Sequence, residues 1–222
     1  MKTIRLTLML LLCLLGSGCV IDARTKDVVI GPERRLALPV TDDSDVSVRI
    51  PIGEIEVIAG NDDQLRIDLL VLCPSQDSAC ARRLADLEFV TREEDDGSLR
   101  IRLSRNAATS FRDAHLRASV QVPPVRKLSL DVSAGELSVG PVDACVEVDM
   151  GAGDVNVRAR AVRYSNVDLD AGIGDASLAV DGQRLRTRRS LLVGAEVAWH
   201  EGRGECDMLV DLQTGNISVA LD

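Results

Sequence analysis

Two short motifs stand out for what their side chains could do. Asp149-Met150-Gly151-Ala152-Gly153-Asp154 and Asp170-Ala171-Gly172-Ile173-Gly174-Asp175 share the pattern D-x-G-x-G-D. Calcium takes roughly six to eight oxygen ligands. Carboxylates stacked across repeats, with carbonyls freed by glycine, could supply several of them. Asp149, Asp154, Asp170 and Asp175 are therefore the candidate calcium ligands. The same residues also suit corners, where Asp and Gly supply turn chemistry. Related stretches carry Ser133, Glu136, Thr214 and Asn216 at equivalent places, which thins the ligand set. The expectation is no cofactor, with calcium as the alternative.

Other chemistry has less to draw on. Acid clusters on a rod could serve a polysaccharide-active β-helix enzyme, but Trp199 and Tyr164 are isolated in a chain that is only 2% aromatic. His115 and His200 lack a neighbourhood such as G-x-S-x-G. The chain is read as a non-enzyme. A formal charge of -9 over 222 residues argues against nucleic acid as a partner, because phosphates need Lys and Arg to neutralise them. One basic run, Arg184-Leu185-Arg186-Thr187-Arg188-Arg189, goes against that balance. It could meet anionic headgroups or an acidic partner, or form a solvated loop.

The N-terminus reads as an export signal. Met1 to Arg5 is basic, Leu6 to Leu15 is apolar, and Gly16-Ser17-Gly18-Cys19 follows. The apolar run is too short for a transmembrane helix, which needs about 20 residues. Cys19 after Ser17-Gly18 resembles the lipobox of bacterial lipoproteins, although Gly16 stands where that family has a large aliphatic residue. The resemblance implies a signal peptide over 1–18, acylation of Cys19 and attachment to the membrane through that anchor. Val20 in the next position implies the outer membrane. Residues 19–44 read as an acylated terminus and polar tether, with one weak strand near Leu36–Val40.

The elements that would position the motifs are strands. From Asp45 onward apolar and polar residues alternate, as in Val46-Ser47-Val48-Arg49-Ile50 and Val155-Asn156-Val157, the mark of half-buried strands. One segment departs from this and predicts a short helix at about 77–86. Strands at about 87–93 and 98–104 follow, joined by Asp95-Asp96-Gly97.

The alternation is also repeated. LSLDVSAGELSV from Leu128, VEVDMGAGDVNV from Val146, VDLDAGIGDASL from Val167 and MLVDLQTGNISV from Met208 share one frame. Their glycines are Gly135, Gly153, Gly174 and Gly215, with a weaker copy at Gly194. VSVRIPIGEIEV from Val46 is a separate copy. A period of about 20 predicts an all-β, solenoid-like stack of strand-turn-strand repeats over residues 45–222. A β-sandwich with similar hairpins is the alternative. Region 73–122 is expected to cap one end, and the segment ending at Asp222 the other.

This pattern resembles the putative-adhesin domain family of bacterial envelope proteins. The recurrent V-x-V-x-x-x-x-G-D/E-V-x-V units carry the resemblance over roughly residues 45–222. It implies an all-β, solenoid-like fold on a secreted or anchored envelope protein. The flat ladder face of such a stack, carried behind the acylated Cys19, is expected to bind a protein or envelope polymer, in adhesion or envelope-stress sensing. The resemblance transfers no catalytic residue.

The cysteines follow from the stack. Cys73 and Cys80 flank the Pro74 turn and are expected to form a disulfide. Cys145 and Cys206 are 61 residues apart, about three coils or roughly 14 Å in a sequential stack. A bridge tolerates about 7 Å, so these two are expected unbonded.

Overall fold

The structure is a computed structural model that describes residues 27–29, 33–74, 78–85, 87–104, 114–190 and 193–222. The expected signal segment and Cys19 lie outside the described residues. The molecule is nearly all β, and its strands form one continuous sheet that does not close.

Five long strands make the centre: β3 (Asp45–Ala59), β8 (Lys127–Val139), β9 (Cys145–Ala159), β10 (Tyr164–Val180) and β14 (Cys206–Leu221). Each is an arch of two arms around a glycine. Inward residues are even-numbered before Gly53 (Val46, Val48, Ile50) and odd-numbered after it (Ile55, Val57). The glycine inverts the pleat. Gly53, Gly135, Gly153, Gly174 and Gly215 all have φ between 130° and 139°, a region open in practice to glycine alone. They stand in register, Gly53 on Gly135, Gly135 on Gly153, Gly153 on Gly215 and Gly215 on Gly174.

The arches are all parallel and stack in the order β3-β8-β9-β14-β10. This corrects the sequential coil order expected from the repeat. The last arch of the chain lies between two earlier ones, with β9 and β10 on either side of it. Identical alternation lets it do so, because its inward Val210, Leu212, Ile217 and Val219 match those of either neighbour. Gly194 is not a corner. It opens β13 (Gly194–Trp199), which runs antiparallel to the first arm of β10.

Beyond β3 the two arms part company. The first arm is continued by β6 (Leu99–Ser104) and then β5 (Glu88–Glu93). The second is continued by β7 (His115–Val122) and then β4 (Gln64–Pro74). A helix α1 (Ser78–Leu84) rests on β4. It contributes Cys80 and Leu84 to the core, and Cys73 in β4 is bonded to Cys80. Arg34 secures the end of this segment by donating from Nε to the Leu87 carbonyl (3.0 Å) and from Nη2 to that of Ala85 (2.6 Å).

Part of the expected tether belongs to the sheet. β1 (Asp27–Val29) and β2 (Arg34–Pro39) both pair with β4. Leu36 and Leu38 pack against the core. The folded unit therefore begins before residue 45.

The far end is closed by β13, by β12 (Arg188–Ser190) and by β11 (Gln183–Arg184). The terminus at Asp222 is not an end cap, because β14 is interior to the stack.

Candidate functional site

In-register stacking converts single outward residues into ladders. On the first arms, Arg49, Asp131, Asp149, Asp211, Asp170, Glu196 and Arg188 occupy one line across successive strands. Arg49 Nε is 3.3 Å from Asp131. Asp149, Asp211 and Asp170 follow on adjacent strands, all exposed. Partial desolvation, then the neighbouring charges of Asp170 and Asp149, push the Asp211 carboxyl above the ordinary carboxylate range.

A second ladder lies across the glycine line on the second arms: Arg117, Glu54, Glu136, Asp154, Asn216 and Asp175. Arginines close both of its ends, with Arg117 Nε 2.9 Å from Glu54 and Arg189 2.8 Å from Asp175. The Arg117 side chain, and less strongly His115, hold Glu54 below the usual range. Asn216 interrupts the acids and donates to Asp154 at 2.8 Å.

The four candidate calcium ligands are thus divided. Asp149 and Asp170 share the first ladder with Asp211 between them. Asp154 and Asp175 share the second with Asn216 between them. The expected direct stacking of the two D-x-G-x-G-D motifs is not found, because β14 separates them. Among the described residues, no three His, Cys, Asp or Glu side chains converge where they could hold one metal ion. Asp211 was missed in the sequence because its repeat has Asn216 in place of the second acid.

The second-arm ladder continues into a shallow basin of about 290 Å³ where β4, β7, β3 and β8 meet. Ser119 and Ser138 floor it beside Glu56, and Leu70 supplies an apolar patch. Glu33 lies over it, paired with Arg35, which also reaches Asp68 at 3.4 Å.

The basic run has a structural place. Leu185 N–H donates to the Leu178 carbonyl (2.8 Å), and Thr187 Oγ1 donates to that of Ala176 (3.0 Å). The run lies along the second-arm edge of β10 and occupies acceptors that would otherwise be open. Charged residues over an edge also deter pairing with other chains.

The remaining cluster surrounds Tyr164 at the entry of β10. Its ring is buried, and its hydroxyl donates to the Ala144 carbonyl at 3.1 Å, across the rung of Cys206. Burial pushes this phenol up to about 12. Beside it Cys145 and Cys206 form a disulfide with Cα atoms 5.1 Å apart. That overturns the expectation that both are unbonded. The roughly 14 Å separation assumed three sequential coils, whereas β14 lies next to β9. Asp143 pairs with both Arg160 and Arg163 at the same corner.

Among solved structures, the chain is similar to a putative cell adhesion protein from Clostridium sporogenes at 9% identity and a TM-score of 0.49, covering 86% of this chain and 100% of that one. It is also similar to a putative adhesin from Bacteroides fragilis (10% identity, TM-score 0.21, 86% and 97% covered). Another putative adhesin, from Parabacteroides distasonis, gives 10% identity and a TM-score of 0.20, with 86% and 96% covered. No family model and no curated protein matches the chain.

Proposed function

We propose that the chain is a non-enzymatic cell-envelope protein, anchored to the outer membrane by acyl chains on Cys19. Its arch stack acts as a binding or scaffold module for a protein or envelope polymer. The observation that carries this reading is the outer surface of the arms. Two regular ladders of exposed side chains lie on a continuous core, so that their spacing is set by the backbone and not by flexible loops. Such a surface suits contact with an extended or repetitive partner. Disulfides at Cys73–Cys80 and Cys145–Cys206 fit an oxidising compartment. Two or more acyl chains would give stable anchoring.

Two measurements test the reading. Labelled palmitate should enter the wild-type protein and not Cys19→Ser; an unlabelled wild-type protein would refute the anchor. Protease added to intact cells should then show which face carries the domain. Loss of the protein from intact cells fits adhesion, and survival until permeabilisation fits a scaffold inside the envelope. Resistance even after permeabilisation and detergent, with the protein in the soluble fraction, would rule out an envelope role.

A further inference from the structure

The two disulfides have different surroundings. Cys73 and Cys80 are both buried, at 3% and 0% exposure. Cys145 is only half-buried. With Cys206 it lines an open concavity at the entry ends of β9 and β14, where Arg126, Arg163 and Arg203 face Asp42, Asp43 and Glu205. Nη2 of Arg163 lies 4.0 Å from Cys206 Sγ. Asp143 is shared between Arg163 and Arg160, so the trio keeps a net positive charge beside that sulfur. A guanidinium next to a cysteine stabilises its thiolate, and a better-stabilised thiolate leaves a disulfide faster.

We propose that Cys145–Cys206 is a thiol–disulfide exchange site, opened by an external dithiol, and that Arg163 receives the leaving thiolate. A thiolate of the dithiol attacks Cys145 Sγ, the more exposed sulfur. A mixed disulfide forms there as the Cys145–Cys206 bond breaks, and the electron pair leaves on Cys206 Sγ beside Arg163. The second thiolate of the dithiol then attacks its own sulfur in the mixed disulfide and releases Cys145 as a thiolate. The dithiol departs as its cyclic disulfide, and the protein keeps the electron pair as two thiolates, which take up protons from water according to their pKa.

Opening this bond leaves the stack standing. β14 keeps its ladders to both neighbours, and Tyr164 still holds the start of β9 through the Ala144 carbonyl. The sulfurs stay within reach of each other, so the site can close again. Cys73–Cys80, by contrast, is a buried structural bond. The exchange site is independent of what the outer ladders bind.

The test uses the native, oxidised full-length protein. It is treated with dithiothreitol, quenched with a maleimide, and the labelled cysteines are identified by peptide mass. Cys145 and Cys206 should label at least about tenfold faster than Cys73 and Cys80. Arg163→Ala should slow that opening by about three- to tenfold and raise the pH at which reduced Cys206 alkylates, whereas Arg163→Lys should stay near wild type. Asp143→Asn, which leaves the arginines uncompensated, should speed it and serves if Arg163→Ala does not fold. Equal rates for the two pairs, or earlier opening of Cys73–Cys80, would overturn the exchange site. Wild-type rates in both Arg163→Ala and Asp143→Asn would overturn the part given to Arg163.

Discussion

The carbonyl oxygen of Gly153 occupies the place where a side chain on Gly215 would begin. The same relation links Gly174 to Gly215, Gly153 to Gly135 and Gly135 to Gly53, so one row of missing Cβ atoms runs through the stack. Gly215→Ala therefore meets both a φ of 139° and a backbone atom that cannot move without its own strand. It should cost about 3–5 kcal/mol in denaturant melts. Gly97→Ala, at φ 80° with open space around it, should cost only about 1 kcal/mol. Equal losses would contradict the glycine row.

Asp211 should be a destabilising residue at neutral pH. Its folded pKa lies above the unfolded value, through partial desolvation first and Asp170 and Asp149 next. The folded state therefore favours the protonated form. The penalty is absent below the unfolded pKa, grows as pH rises toward the folded pKa, and is complete above it. Asp211→Asn should raise the melting temperature by about 1–3 °C at pH 7 and have little effect in acid. A fall at pH 7 would contradict it.

Asp45, Glu54 and Glu147 carry the opposite sign, lowered chiefly by hydrogen bonds from Arg126, Arg117 and Lys127. Their contribution is present above the unfolded carboxylate range and is lost as pH falls through the folded values. Each pair is exposed, so each is worth little alone. The acid limb of the stability curve should accordingly steepen in Asp211→Asn, where the compensating gain is gone.

Tyr164 is the chain's single tyrosine, so phenolate absorbance reports it alone. The folded protein should titrate near pH 12. Because this pKa is raised on folding, stability is complete below about pH 10 and declines as pH rises toward the folded value. Tyr164→Phe should cost about 1 kcal/mol by leaving the Ala144 carbonyl without its donor. A midpoint near 10 in the folded protein would show that the ring is not enclosed.

Removing Cys145–Cys206 should cost more than removing Cys73–Cys80. The sequence separations are 61 and 7, and loop entropy puts the losses at about 4 and about 2.5 kcal/mol. Paired alanine substitutions followed by urea melts would measure both. Millimolar calcium should leave the melting temperature unchanged, and a rise of several degrees would reveal a site that the ladders do form.

Corners and strands were legible in the sequence because each has a local cause. Gly135, Gly153, Gly174 and Gly215 sit between alternating runs and near Asp, Glu or Asn, and their positions are those of the arches. Gly194 fits the spacing alone, and Ala195 follows it where each true corner is followed by Asp, Glu or Asn. Stack order was not legible. Inward residues of the alternating runs are drawn almost wholly from Val, Leu, Ile, Ala and Met, so the runs do not name their neighbours. That is why Asp149 was expected against Asp170, and Cys145 far from Cys206. The weak strand near Leu36–Val40 is legible and overlaps β2 (Arg34–Pro39), whereas β1 (Asp27–Val29) has no local signal and pairs only with the distant β4.

The place of β14 sets a condition on synthesis. A ribosome delivers β9 and β10 before the arch that belongs between them. Until residues 206–221 emerge, those two carry matching corners and matching inner faces with nothing to separate them. The finished order can be reached only once residues 206–221 have been made, so the stack cannot be completed arch by arch in chain order.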